Sequence, residues 1–109
     1  MNWIALTSES QLQEIIQTSA KRTQVIFKHS TRCGISSLAK SRLEKAKPSG
    51  DIDFYYLDLI AYRALSHKVA ETFNVYHESP QVLVVRNGQC VYDESHLGIS
   101  MDDIVKYAA

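Results

Sequence analysis

The stretch Gln24-Val25-Ile26-Phe27-Lys28-His29-Ser30-Thr31-Arg32-Cys33-Gly34-Ile35-Ser36 holds the reading on which the fold turns. Its first six residues form a β-branched and aromatic run of the kind that makes a strand buried in a sheet. The strand ends at Ser30-Thr31-Arg32. From Cys33 onward Ile35, Leu38, Ala39, Leu43 and Ala46 recur at helical spacing with Lys40, Arg42, Glu44 and Lys45 around them, which predicts a helix that stops before Pro48-Ser49-Gly50. A strand leading into a cysteine that opens a helix is a chemical arrangement as much as a structural one. The unpaired backbone N–H groups and the positive end of the helix dipole favour a thiolate there. Arg32, and further back Lys28 and His29, are expected to add positive potential.

Working outward, Ser8 reads as an N-cap, and Leu12, Ile15, Ile16 and Ala20 make Ser10 to Ala20 an amphipathic helix closed by Lys21-Arg22. Downstream, Ile52 to Asp58 is a second strand. Leu65, Val69, Ala70 and Phe73 suggest a third helix, followed by a turn-like segment through Asn74, His77 and Glu78 to Ser79-Pro80. Gln81 to Arg86 is the clearest strand in the chain. Asn87-Gly88 is a strong hairpin signal, because a type I′ turn needs positive φ at both central residues. Gln89 to Glu94 should therefore return antiparallel. Gly98 marks a bend, and Ser100 caps a last helix through Ile104, Val105 and Tyr107. Strands joined by helices run parallel with right-handed crossovers, whereas the Asn87-Gly88 turn imposes one antiparallel pair. The fold class that results is α/β, a four-stranded mixed sheet with helices on both faces, in one domain spanning residues 1–109.

The bulk numbers agree. A chain of 109 residues, 45% hydrophobic and 22% charged, has the size and make-up of one globular domain. Twelve basic and twelve acidic side chains cancel, so no net field exists to draw nucleic acid or an anionic lipid surface. The first residues lack the basic start and long apolar run of a signal peptide. No stretch approaches the ~20 apolar residues that span a bilayer. The expectation is a cytoplasmic protein with no membrane and no nucleic-acid partner. Two cysteines in such a chain argue against a structural disulfide framework.

Ser36 lies three residues after Cys33, one turn along the helix and back beside the thiol. A hydroxyl there can donate a hydrogen bond to a thiolate but cannot close a disulfide, so the site is monothiol. Ser79-Pro80, just before the clearest strand, suits a proline at a strand start, where an X-Pro bond can be cis. With these residues in view, Cys33-Gly34-Ile35-Ser36 resembles the Cys-Gly-x-Ser site of monothiol glutaredoxins. Lys28-His29-Ser30-Thr31-Arg32-Cys33 together with Ser79-Pro80-Gln81 resembles more closely the YtxJ-like monothiol bacilliredoxins of bacteria that use bacillithiol. That resemblance covers nearly the whole chain in element order and length. It implies a thioredoxin-like fold and removal of bacillithiol from protein mixed disulfides. Cys33 would be the nucleophile, Thr31, Arg32, Gly34 and Ser36 the loop around it, and Pro80 a cis-proline facing it, with the backbone at Ser79 binding an extended substrate segment. Members of that family often carry a proline after the cysteine, where this chain has Gly34. The implied co-substrate is bacillithiol, with no bound cofactor and no metal. The implied partners are S-thiolated client proteins and a small thiol or partner redoxin for recycling.

Blander readings apply elsewhere. Cys90 follows the hairpin turn, some seven strand residues from Pro80, which at ~3.3 Å each puts it about 20 Å from the active end. A Cys33–Cys90 disulfide would need Cα atoms within ~7 Å, so none is expected within one molecule. The histidines His29, His67, His77 and His96 show no zinc-type spacing with either cysteine. His77, close to Pro80, is the one placed to line the groove. Trp3, Tyr55, Tyr56 and Tyr76 read as packing residues. Two other function classes compete with the oxidoreductase: an iron–sulfur carrier of the monothiol-glutaredoxin kind, with Cys33 of two subunits as ligands, and a non-catalytic module binding an extended peptide.

Overall fold

The computed structural model describes residues 1–46 and 51–108. Its elements run β1 (Trp3–Ala5), α1 (Glu9–Thr18), β2 (Thr23–His29), α2 (Gly34–Lys45), β3 (Ile52–Asp58), α3 (Arg63–Phe73), β4 (Gln81–Arg86), β5 (Gln89–Ser95), a 3-10 turn at His96–Gly98 and α4 (Met101–Ala108). Ser8 caps α1, its Oγ accepting from the Gln11 N–H at 3.3 Å. Ser100 does the same for α4 through the Asp103 N–H. The expected stop at Pro48-Ser49-Gly50 lies outside the described residues.

The sheet has five strands in the order β1-β3-β2-β4-β5, not four. The extra one is β1, which pairs parallel to β3 with Trp3 opposite Phe54. Three residues at a sheet edge are too short to show a period, so β1 carries no strand signal of its own. β2 is central and buried along all seven residues. It pairs parallel to β3 and antiparallel to β4, with Lys28 opposite Gln81. Asn87 and Gly88 turn the β4–β5 hairpin with φ of 52° and 76°, the type I′ geometry. Further along, Val84 pairs with Tyr92 but Val85 with Cys90, a bulge that leaves Val91 without a ladder partner.

Alternation along the central strands divides the core in two. Ile26, Leu57, Leu83 and Val85 meet Leu12 and Ile15 of α1 and Leu65, Val69 and Phe73 of α3 on one face. Val25, Phe27, Phe54, Val82 and Val84 meet Ala39 and Leu43 of α2 and Met101 and Ile104 of α4 on the other. Each buried Val, Leu, Ile, Met or Phe side chain among these contributes roughly 1.5–3 kcal/mol.

The apolar stripe expected on α2 is rotated. Ile35 and Leu38 are 45% and 51% exposed, while Ser36, Ala39 and Leu43 point inward. The polar Ser36 takes the core-facing place because buried partners wait for its hydroxyl. That turns Ile35 and Leu38 outward, each one residue before a member of the inward row.

Candidate active site

Cys33 is the N-cap residue of α2, with extended backbone (φ −107°, ψ 121°). A tight turn delivers it there: the Cys33 N–H donates to the Ser30 carbonyl at 3.1 Å, and the Cys33 carbonyl accepts from the Ser37 N–H at 3.1 Å. The thiol is part-exposed and free, and it makes no hydrogen bond among the described residues. Thr31 and Arg32 are exposed on the turn. A Cβ added at Gly34 would meet nothing within 4 Å, so no steric demand keeps glycine at this first helical position.

Ser36 does not serve the thiol. Its Oγ lies 2.6 Å from His29 Nδ1 and accepts from the Ser30 N–H at 3.0 Å. The expectation that the hydroxyl can donate to a Cys33 thiolate is therefore corrected: its Oγ is engaged by the imidazole and by the Ser30 N–H. Burial, then the Lys40 charge, holds His29 below the ordinary histidine range. A lowered histidine favours the neutral ring, whose Nδ1 shares one hydrogen bond with the Ser36 hydroxyl. The ring is also stacked on Phe27 and tilted against Tyr56. His29 thus supplies shape to the Ser30–Cys33 turn rather than the positive potential expected of it.

Lys28 supplies none to Cys33 either. Successive strand residues point to opposite faces, and Lys28 is directed to the α3 side. There its Nζ, fully buried, donates to the Ser66 carbonyl at 3.1 Å and lies 3.2 Å from His77 Nδ1. Burial pushes this ammonium down to about 8. Of the three expected sources of positive charge, Arg32 alone sits on the exposed cysteine turn.

The second half of the site comes from the β2–β4 ladder. Lys28 opposite Gln81 is the last pair of that ladder, so the chain enters β4 through Ser79-Pro80 at the same end of β2 from which the cysteine turn continues. The Ser79–Pro80 peptide is cis, and the Pro80 carbonyl accepts from the His96 N–H at 3.0 Å. Ser79 Oγ is buried with no hydrogen-bond partner among the described residues. His77 does not simply line a groove, because its Nδ1 is turned to Lys28 and Ser66 Oγ. Tyr76, expected to pack, is 92% exposed. Gln81 and Ser66, which shape this loop, were not among the expected site residues. A polar residue at the buried first position of a strand was the available signal for Gln81.

Cys90 lies at the other end of β4, opposite Val85. Its Sγ donates to the Tyr92 carbonyl at 3.3 Å, and burial, reinforced by Asp93, pushes the thiol up to about 11. No three His, Cys, Asp or Glu side chains group as a metal site among the described residues, and no helix there is long and apolar enough to cross a membrane.

This order of strands and helices, with a cysteine opening α2 and a cis-proline leading into β4, is the thioredoxin fold. The chain is similar to a solved structure described as a proposed oxidoreductase with a thioredoxin fold, at 30% identity over 98% of this chain and 94% of that one, TM-score 0.81. The thioredoxins of Malassezia sympodialis (20% identity, 100% and 92% covered, TM-score 0.76) and Fasciola hepatica (17%, 96% and 98%, 0.74) share the fold. Residues 4–104 match the family described as monothiol bacilliredoxin BrxC, and the chain belongs to that family. Family and fold together assign a thiol-redox function.

Proposed function

We propose that this chain removes bacillithiol from protein mixed disulfides, with Cys33 as the attacking sulfur. The observation that carries the reading is the unengaged, part-exposed thiol at the N-terminus of α2, beside a serine where a resolving thiol would stand. The Cys33 thiolate attacks the bacillithiol sulfur of the client disulfide. The S–S bond to the client breaks, the client cysteine leaves as a thiolate and takes a proton, and a Cys33–bacillithiol disulfide forms. The client is reduced and Cys33 is oxidised. A second small thiol or a partner redoxin then attacks the bacillithiol sulfur on Cys33 and restores the thiol.

Around this reaction Thr31, Arg32 and Gly34 border the approaching disulfide, Ser36 holds the turn, and the backbone at Ser79-Pro80 pairs with the extended client segment. No bound cofactor is needed, since bacillithiol enters as co-substrate. Two free thiols suit a reducing compartment and support a cytoplasmic location. The test is release of bacillithiol from an S-bacillithiolated client. Cys33→Ser should abolish it and Cys90→Ser should leave it intact; full activity in Cys33→Ser overturns the proposal.

A further inference from the structure

A lysine buried in mid-sheet is costly unless its charge is answered, and no carboxylate answers Lys28 among the described residues. What it holds is the loop before Pro80. Lys28 Nζ bridges the Ser66 carbonyl of α3 and His77 Nδ1. Its cross-strand partner Gln81, equally buried, donates from Nε2 to the Tyr76 carbonyl at 2.8 Å and accepts at Oε1 from the Glu78 N–H at 3.4 Å. Two neighbouring side chains rising from the sheet therefore tie three consecutive loop residues, Tyr76, His77 and Glu78, whose own exposure gives them little packing.

We propose that Lys28 is a positioning residue that fixes the loop leading to Ser79-Pro80 through His77 Nδ1, and that a proton on His77 releases it. The inference rests on the functional reading above, in which that loop receives the client segment. An ammonium only donates, so the bond exists only while Nδ1 keeps its lone pair. A proton on Nδ1 sets two donors face to face.

The charged and titratable groups around the His77 ring are Lys28 from β2, Arg63 and His67 from α3, and Glu78 within the loop. The His67 ring is 5.6 Å away, centroid to centroid, and the Glu78 carboxylate also lies 3.8 Å from His96 Nε2. Burial first, then Lys28, His67 and Arg63, oppose protonation, and only Glu78 favours it. Release therefore falls on the acid side of the ordinary histidine range. Above pH 8 Lys28 becomes a neutral amine that still carries N–H donors, so the hold persists there.

The test reads the loop and the reaction separately. Backbone amide order at residues 76–79 is followed by NMR from pH 7.5 to 5 in the wild type, Lys28→Met and His77→Asn, the last offering an amide oxygen near the Nδ1 position that does not titrate. The wild type should lose order as the pH falls, Lys28→Met should lack it throughout, and His77→Asn should keep it throughout. With an S-bacillithiolated client peptide, Lys28→Met should raise KM about tenfold with kcat within about twofold, while Cys33 alkylation proceeds at the wild-type rate. An ordered loop in Lys28→Met, or a His77→Asn loop that titrates like the wild type, overturns the proposal. If no client peptide is de-thiolated the functional reading fails, and the NMR series still decides whether Lys28 holds the loop.

Discussion

Replacing Lys28 by Met removes the charge and keeps an unbranched side chain one atom shorter, and the consequence for stability can be worked out from the burial. The Lys28 ammonium is pushed from 10.5 down to about 8 by a fully buried position. A depressed lysine favours the unfolded chain wherever that chain binds the proton more tightly, so its penalty is full below pH 8 and fades as the pH rises toward 10.5. At about 1.36 kcal/mol per pH unit, the charge costs the wild-type fold about 3 kcal/mol at pH 7 and about 1 kcal/mol at pH 9.5. Against this stand the two bonds to Ser66 and His77, together worth about 2 kcal/mol. Ser66 keeps its helical bond after the substitution, and His77 is open enough to water to be re-solvated. Lys28→Met should therefore be about 1 kcal/mol more stable than the wild type at pH 7 and slightly less stable at pH 9.5, with about 2 kcal/mol between the two differences. Urea unfolding of both proteins at the two pH values measures this directly. A stability gap that does not change with pH, or a variant destabilised at pH 7, would refute the reasoning.

Ser36→Ala should cost about 1–3 kcal/mol, because it strands His29 Nδ1 and the Ser30 N–H without their partner; urea denaturation reads the loss, and a neutral outcome would mean that water replaces the hydroxyl. Gly34→Ala should stabilise the protein by about 0.4–1 kcal/mol, since a Cβ meets nothing within 4 Å at that helical position and alanine narrows the unfolded ensemble; thermal unfolding checks it. Cys90, with its thiol pushed up to about 11, should be about 0.1% thiolate at pH 8. Iodoacetamide at pH 8 should then label wild type at one fast site, Cys33→Ser at none, and Cys90 faster by about tenfold per pH unit up to its own range.

The parts legible in the sequence were those with a local cause. β2, β4 and the Asn87-Gly88 turn follow from β-branched runs and from the need for positive φ, and the position of Cys33 follows from a strand giving way to a helix. What escaped depends on which way a side chain faces once the sheet forms. Lys28, His29 and Arg32 lie close together in sequence and read as one basic cluster near the thiol, yet strand alternation sends Lys28 to the α3 face and His29 to the α2 face. Helical periodicity likewise marked Ile35 and Leu38 as core, but a buried hydrogen-bond pair claimed the inward row for Ser36. β1 was lost for a different reason: its strand conformation comes from β3 beside it and not from its own three residues.

The same alternation explains how a single strand can organise both halves of the site. The cysteine turn and the loop before Pro80 lie on different neighbours of β2, one continuing the strand itself and one entering β4. A side chain from one face of the sheet reaches only one of them. Two consecutive polar residues at the C-terminal end of β2 reach both: His29 anchors the cysteine turn through Ser36 and the Ser30 N–H, and Lys28 anchors the opposing loop through His77. Apolar residues at these two positions would pack well and would leave both loops without their buried tethers. The polar pair is instead kept where Ile26 and Phe27, the two residues before it, fill the two halves of the core. A slip of one residue in β2 would exchange the two faces, turning the lysine toward Ser36 and the histidine toward α3. The β2–β4 register, with Lys28 opposite Gln81, therefore fixes the relation between the thiol and the proline loop as well as the packing of the sheet.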